Sequence, residues 1–403
     1  MKKIYSILFC ILGLHVNTQA QWVKIMPPSY DDYTSVYFPT KDTGYILGLN
    51  GNIIKTVDAG NNWVIQLQNS STFTTLSNIC FTDANKGFVV GANGIVLKTT
   101  NGGIKWDTIT ALLSANNGNN SYVSVCFPTK STGYILTEGT NSNYKTTDGG
   151  NTWIAQPNSV YGTGFNSTIY FTDSVIGYMA SYGGILKTID GGNTWIRKDS
   201  SESFSSIYFS TPDTGYAAAQ YGSIYKTVNA GNNWFKQLTN VGATDNYSIF
   251  FTSTNIGYVV GINSTTNSPN RVLKTTDGGI NWVQQTTPGN NLRLYSVFFT
   301  NQNTGYVVGF GNTIFKTTNG GFTDINEVHS LNNSINIYPN PTNNKITIDA
   351  NDCTDVKLFD VLGKQITATK TNNVDVSNLN DGVYFIQVQT TQNTTTQKII
   401  VQH

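Results

Sequence analysis

The sequence predicts an all-β chain: a seven-bladed β-propeller of four-stranded blades, its N-terminal strand closing blade 7, followed by a small Ig-like β-sandwich. Three observations predict this. A pattern of about 40 to 45 residues recurs seven times, each copy holds four short strand-like runs, and the pattern stops before residue 334.

The plainest mark of the repeat is a box ending in Trp. It reads KTVDAGNNW from Lys55 and returns from Lys98, Lys145, Lys187, Lys226 and Lys274. A seventh copy from Lys316, KTTNGGFTD, has Asp324 where Trp is due. In the first unit the four runs are YTSVYF (33–38), GYILGL (44–49), NIIKTV (52–57) and WVIQL (63–67), called strands a to d from the axis outward. All are aromatic or β-branched and bounded by Gly, Asn, Asp or Thr, which are strand and turn signals. Radial closure lets each such sheet bury both faces against its neighbours.

Trp22 explains the incomplete seventh box. Of seven Trp residues, six end boxes and one lies in QWVKI at positions 21–25, which looks like the strand-d segments after the other boxes. The chain therefore starts on a strand d and stops its last box before one, so the N-terminal strand is expected to complete blade 7. Trp22 would fill the place left by Asp324, and the ring would have no open edge.

Spacing separates two faces. From the strand-a Phe to the strand-b Gly the interval is six residues in every unit (Phe38 to Gly44, through to Phe299 to Gly305), and Lys to box Trp is eight in all six complete boxes. The b–c and d–a connections vary instead, with long stretches at 261–271 and 111–120. In an up-and-down blade these variable connections share one face, where function is placed on a rigid scaffold.

The box residues are expected to be structural. Asp58, Asn101, Asp148, Asp190, Asn229, Asp277 and Asn319 bond turn N–H groups, the box Gly takes positive φ, and Trp63, Trp106, Trp153, Trp195, Trp234 and Trp282 cover apolar surface while donating an indole N–H. Calcium is the rival reading of an Asp-rich turn. Asn at three of the seven positions removes the charge that a carboxylate-dependent site needs. No metal and no cofactor is expected.

Composition narrows the partners. The 403-residue chain carries a net charge of +1 and only 12% charged residues, about half the roughly 25% usual in globular domains. That leaves no electrostatic footprint for nucleic acid or an anionic membrane. Residues 1–20 read as a signal peptide, with Lys2 and Lys3, an apolar run from Ile7 to Leu14, and a Thr18-Gln19-Ala20 cleavage site. No later segment approaches 18 consecutive apolar residues, so no transmembrane segment is expected after signal removal. Cys80 and Cys126 hold the same position in neighbouring repeats, and are read as small buried hydrophobes because equivalent positions face the same way.

Two resemblances follow from these motifs. The box looks like the Asp-box of BNR-type propellers, and the wider unit VYFPTKDTGYILGLNGNIIKTVDAGNNW resembles the repeat of the photosystem II assembly-factor propellers, a seven-bladed family, over residues 21–323. The photosynthetic role is not carried over, because binding there involves an arginine-rich patch and this chain has only Arg197, Arg271 and Arg293. After a linker at 324–333, residues 334–403 resemble the type A C-terminal sorting domain of the type IX secretion system. Pro339, Asn340, Pro341, Gly363, Gly382, Tyr384 and Lys398 carry that likeness. It implies handling by the type IX secretion machinery and delivery through the periplasm to the outer surface or the medium.

For the propeller, binding is favoured over catalysis. All three His residues (His15, His329, His403) lie outside the repeats, which removes His general bases. Only Glu138 and Glu202 occur in the propeller, neither with a paired Tyr at an evident spacing. Asp31, Asp32 and Asp245 on variable-face loops are the carboxylates a glycosidase would have to use. The binding expectation rests on Asn50, Asn93, Tyr182, Tyr221 and Phe310 at b–c tips and on Tyr30, Tyr122, Tyr161, Tyr247 and Tyr295 from d–a segments, with Arg271 at the end of the longest b–c stretch. Tyr and Asn supply rigid amphipathic contact area with adaptable hydrogen bonds. The expected function is an exported, non-catalytic binder of a glycan or protein ligand. A secreted glycoside hydrolase and a passive surface scaffold are the alternatives.

Overall fold

The structure, a computed structural model, describes residues 22–68, 74–113, 121–138, 143–156, 166–238, 244–263, 270–321, 336–349, 353–360, 364–390 and 394–403. The chain divides into two compact units, Met1–Thr323 and Asp324–His403.

The first unit consists of seven four-stranded antiparallel sheets. Blade 1 runs Tyr33–Tyr37, Gly44–Gly48, Ile53–Thr56 and Val64–Leu67 in that spatial order. Burial follows position in the blade. Strand b of blade 1 is buried throughout, being covered by a neighbour on both faces, while strand d is exposed at its start. The hydrophobic clusters accordingly lie between blades: one joins Val36, Phe38 and Ile46 of blade 1 to Tyr306, Val308 and Ile314 of blade 7.

The invariant six-residue interval has a packing cause. The strand-a Phe folds its ring flat over the strand-b Gly, so a side chain at Gly44 would run into the Phe38 ring, and the same holds at Gly305 beneath Phe299. On its other side Phe38 stacks on Tyr306 of the preceding blade, with centroids 4.2 Å apart. The turn length is thus fixed by a ring that must reach one glycine.

The boxes fold as expected, with one correction. Thr56 Oγ1 donates to Asp58 Oδ1 (2.8 Å) and accepts the Gly60 N–H (2.8 Å), while Asp58 Oδ1 accepts the Asn62 N–H (2.9 Å). Asn101 does the same work without charge: its Oδ1 accepts from Thr99 Oγ1 (3.0 Å) and from the Lys105 N–H (3.0 Å). The indole expectation fails for most boxes. Trp195 Nε1 donates to the Gly192 carbonyl (3.1 Å), whereas the indole N–H groups of Trp63, Trp106, Trp153, Trp234 and Trp282 are buried without an acceptor. The box Trp is held by ring packing, edge-on to the strand-a Phe, as Trp63 is to Phe38 at 6.1 Å and 84°.

Each box is also gripped by the blade before it. The hydroxyl of Tyr45 donates to the Gly102 carbonyl of the next box (2.7 Å), joined there by Lys55 Nζ (2.7 Å). Tyr134, Tyr178, Tyr216, Tyr258 and Tyr306 repeat the hydroxyl contact on the boxes of blades 4, 5, 6, 7 and 1. Phe88 stands in the Tyr place of blade 2 and has no hydroxyl to offer.

The ring closes as the Trp count predicts. Val23–Ile25 pairs antiparallel with Thr313–Thr317, Val23 opposite Lys316, as the fourth strand of blade 7. Trp22 is fully buried and lies edge-on to Phe299 at 5.9 Å and 83°, the relation every box Trp has to its own Phe. A Cβ on Gly321, the second glycine of box 7, would lie 3.2 Å from Trp22 Nε1. Trp22 therefore holds the box position that Asp324 leaves empty.

Cys80 and Cys126 are free thiols and point the same way round the ring. Cys80 packs into the cluster between blades 2 and 3, Cys126 into the one between blades 3 and 4.

The second unit is a sandwich of a three-stranded sheet (Asn336–Tyr338, Lys345–Asp349, Asn373–Asp375) and a four-stranded sheet that includes Cys353–Phe359 and Gly382–Thr390. Ile346 and Ile348 of the first sheet share one core with Val356, Leu358, Ile386 and Val388 of the second.

Candidate functional site: the variable face of the propeller

The b–c tips are braced from below by carboxylates and amides. Asp31 is fully buried and accepts the Asn50 N–H (3.2 Å), Asn50 Nδ2 (3.0 Å) and Asn52 Nδ2 (2.7 Å), so it fixes the blade 1 hairpin. Burial raises its proton affinity more than these bonds lower it. Asp32 Oδ1 accepts the Gly311 N–H of blade 7 (2.7 Å), and Asp245 Oδ1 accepts the Tyr221 N–H of blade 5 (3.1 Å). All three carboxylates considered for hydrolysis thus hold hairpins, two of them across a blade boundary.

Three expected ligand residues are turned inward. Tyr122 is 0% exposed, its hydroxyl donating to the Leu112 carbonyl (3.3 Å), so its assignment to the binding face is corrected. It is the first residue of strand a, which faces the blade interface, whereas Tyr247 and Tyr295 occupy the second place, next to a register shift. Arg271 is also buried: Nε donates to Asn246 Oδ1 (2.6 Å) and Nη2 to the Gly222 carbonyl (3.1 Å). Burial pushes its pKa down to about 10. It is a strut beneath the Tyr221 hairpin rather than a face residue. Asn50 gives its amide to Asp31, and Tyr161 lies outside the described residues.

The remaining face residues are outward. Tyr30, Asn93, Tyr182, Tyr221 and Phe310 are exposed. Tyr221 and Asn93 hold positive φ of 61° and 56°, a left-handed conformation that costs a non-glycine residue about 1 kcal/mol or more. Near the axis, Tyr247 and Tyr295 meet at 5.6 Å with rings tilted by 36°. Burial pushes the Tyr247 hydroxyl up to about 12, helped by Asp245, Tyr295 and Tyr182 and opposed by Arg293.

Sequence reasoning missed Arg293. It is exposed, belongs to no ion pair among the described residues, and its carbonyl accepts the Phe310 N–H (2.8 Å). The sequence marks only its neighbours: in the second place of strand a the other blades have Thr34, Ser77, Val123, Ser167 and Ser205, and only blades 6 and 7 have Tyr. A second correction concerns Glu202. The structure does pair it with a tyrosine, its Oε1 accepting from Tyr225 (3.1 Å), Ser223 (3.1 Å) and Lys236. Tyr225 is buried against Phe204 while Lys236 on the outer strand is exposed, so the network runs from the blade interior to its rim. Among the described residues no group of three or more His, Cys, Asp or Glu is placed to hold a metal ion. No described helix is long and apolar enough to cross a membrane.

In the second unit the Pro339-Asn340-Pro341 turn is pinned to the last strand. Asn340 Oδ1 accepts the Ile400 N–H (2.8 Å), and Thr342 exchanges backbone bonds with Ile400 and Gln402. Gly382 starts the strand opposite Val401, and the Tyr384 hydroxyl donates to the Asn380 carbonyl (3.0 Å). Gly363 and the Lys398 side chain lie outside the described residues.

These features define a class: an Asp-box propeller closed by its first strand and followed by a separate C-terminal sandwich. Residues 14–168 and 64–207 match the Photosynthesis system II assembly factor YCF48 family, and residues 336–402 match the secretion system C-terminal sorting domain. The first half of the chain is thus similar to the YCF48 propellers, and its C-terminal sorting domain marks it for type IX secretion to the cell surface or beyond it. No curated protein matches the chain. Among solved structures it is similar to YCF48 bound to D1 peptide (20% identity, TM-score 0.61, covering 74% of this chain and 97% of that one). It is also similar to PorZ of Porphyromonas gingivalis, a surface component of the type IX secretion system (15%, 0.54, 94% and 60%). A third is the GH74 xyloglucanase from Xanthomonas campestris (12%, 0.59, 75% and 54%). At these identities the likeness is one of fold.

Proposed function

We propose that this secreted propeller is a non-catalytic binding protein whose variable face takes a glycan or protein ligand. The observation that carries the reading is the set of outward Tyr and Phe tips held on braced hairpins: the struts Asp31, Asp32, Asp245 and Arg271 are buried or bonded, and the aromatic residues above them are left to the solvent. A rigid platform loses little conformational entropy on binding. A propeller of this repeat type solved with a bound peptide supports a ligand role for the fold. Catalysis is disfavoured because Asp31, Asp32 and Asp245 already serve as hairpin acceptors. In the sorting domain, Pro339, Asn340, Pro341, Gly382 and Tyr384 would shape the surface that the secretion machinery reads.

The test is a glycan array together with pull-down from the cell envelope, comparing the intact protein with Tyr182→Ala/Tyr221→Ala. Loss of the captured ligand with an unchanged melting temperature supports the reading, and unchanged capture sinks it. Glycan cleavage by the purified protein that disappears in Asp245→Asn would replace it with the hydrolase reading.

A further inference from the structure

Resting on that reading, we infer that the ligand is a glycan bearing a carboxylate, seated over blades 6 and 7 on Tyr247, Tyr295, Arg293 and Phe310 with Tyr182 opposite. The argument begins with what the face has left to offer. A peptide adding itself as a strand needs free backbone groups. Among the described tips of blades 1, 4, 5 and 7, five N–H groups are taken: Asn50 by Asp31, Gly311 by Asp32, Tyr221 by Asp245, Gly183 by Ser181 Oγ, and Phe310 by the Arg293 carbonyl. Among the described residues, the exposed side chains of this face include the Tyr and Phe rings and the guanidinium of Arg293, with Arg197 beside Gly183 in blade 4.

Two further rings meet on strands a of blades 6 and 7. Tyr247 and Tyr295 replace the small residues of the other blades, and their 5.6 Å contact makes one half-buried platform from two rings. Ring faces pack on the apolar C–H faces of sugars, and the hydroxyls bond to their polar edges. Arg293 belongs to the same patch: its charge acts on the Tyr247 hydroxyl, and its carbonyl holds the Phe310 N–H. Its planar fork matches a carboxylate in a bidentate way that a hydroxyl cannot use fully. On a chain of net charge +1 this is local recognition, not general attraction for anions.

The experiment uses the full chain and two probes, a galacturonic acid tetramer and the same tetramer reduced to galactose, measured by calorimetry. We expect the acidic probe to bind at least tenfold more tightly. Arg293→Gln should erase that tenfold preference while keeping the weaker neutral binding, and Tyr247→Ala/Tyr295→Ala should abolish both. Arg293 is exposed, so its variant is expected to melt with the intact protein, and that scan is the folding control. Equal binding of the two probes, no binding of the acidic one, or an acidic peptide of the same charge binding as tightly would overturn the ligand class. Loss of a captured ligand in Asn93→Ala but not in the tyrosine pair would overturn the seat and leave the binding face standing.

Discussion

The two faces of the propeller follow different rules. On the face of the a–b and c–d turns every blade repeats one solution: Phe over Gly, Thr and Asp or Asn closing the box, and Trp edge-on to Phe. On the other face three hairpins are braced in separate ways, by Asp31 in blade 1, Asp32 in blade 7 and Asp245 with Arg271 in blade 5. The first face holds the ring together through repetition. The second uses single-copy residues, so it can hold one chemical patch without disturbing the rest.

Removing Trp22 would break this contrast most severely. Trp22→Ala deletes a fully buried indole from the closing blade, and we expect a loss of about 3–5 kcal/mol in denaturant unfolding. A change below about 1 kcal/mol would mean the ring does not depend on that strand. Smaller effects are expected at the inter-blade hydroxyls. Tyr306→Phe gives up the bond to the Ala59 carbonyl and should cost about 1 kcal/mol, while Phe88→Tyr supplies blade 2 with the missing donor and should stabilise by a similar or smaller amount. If both leave the denaturation midpoint unmoved, the hydroxyl ladder has no energetic weight.

A pH series sharpens the reading of the boxes. The N–H and side chain of Asn62, with the Thr56 hydroxyl, hold the Asp58 carboxyl down to about 2. A depressed folded-state pKa contributes stability above the unfolded value near 3.9, and that contribution is lost as pH falls through about 2. Asp58→Asn should be near neutral at pH 7 and should flatten the acid side of the stability profile. Equal slopes for the two proteins between pH 4 and 2 would show that the charge does nothing there. The smallest effect belongs to the variable face: Tyr221→Gly relieves a left-handed tyrosine and should change stability by no more than about 1 kcal/mol, in the stabilising direction, measured by thermal unfolding.

Legibility in the sequence follows the same division. The blades could be read because their packing constraint recurs as a fixed interval, and Trp22 because one surplus Trp met one vacant box. Tyr122 was misplaced because strands a carry a register shift between their first and third residues, and one step along a strand exchanges the faces. Arg271 was misplaced because a charged residue beside a long loop looks exposed, while its acceptors, the Gly222 carbonyl in a hairpin turn and Asn246 in a strand, are distant in sequence. Arg293 became visible only once the Tyr247 and Tyr295 rings were seen to share a patch with it.

The pairing of Val23 with Lys316 also orders events in time. The strand Val23–Ile25 has its partner nearly three hundred residues behind it, so six blades can be complete while the seventh still lacks its outer strand. Contacts this distant in sequence form late because their loop closure must be met first. The strand that precedes all the blades in sequence is therefore the last to dock, and until it does an unpaired strand edge stays open to whatever meets the protein on its way out.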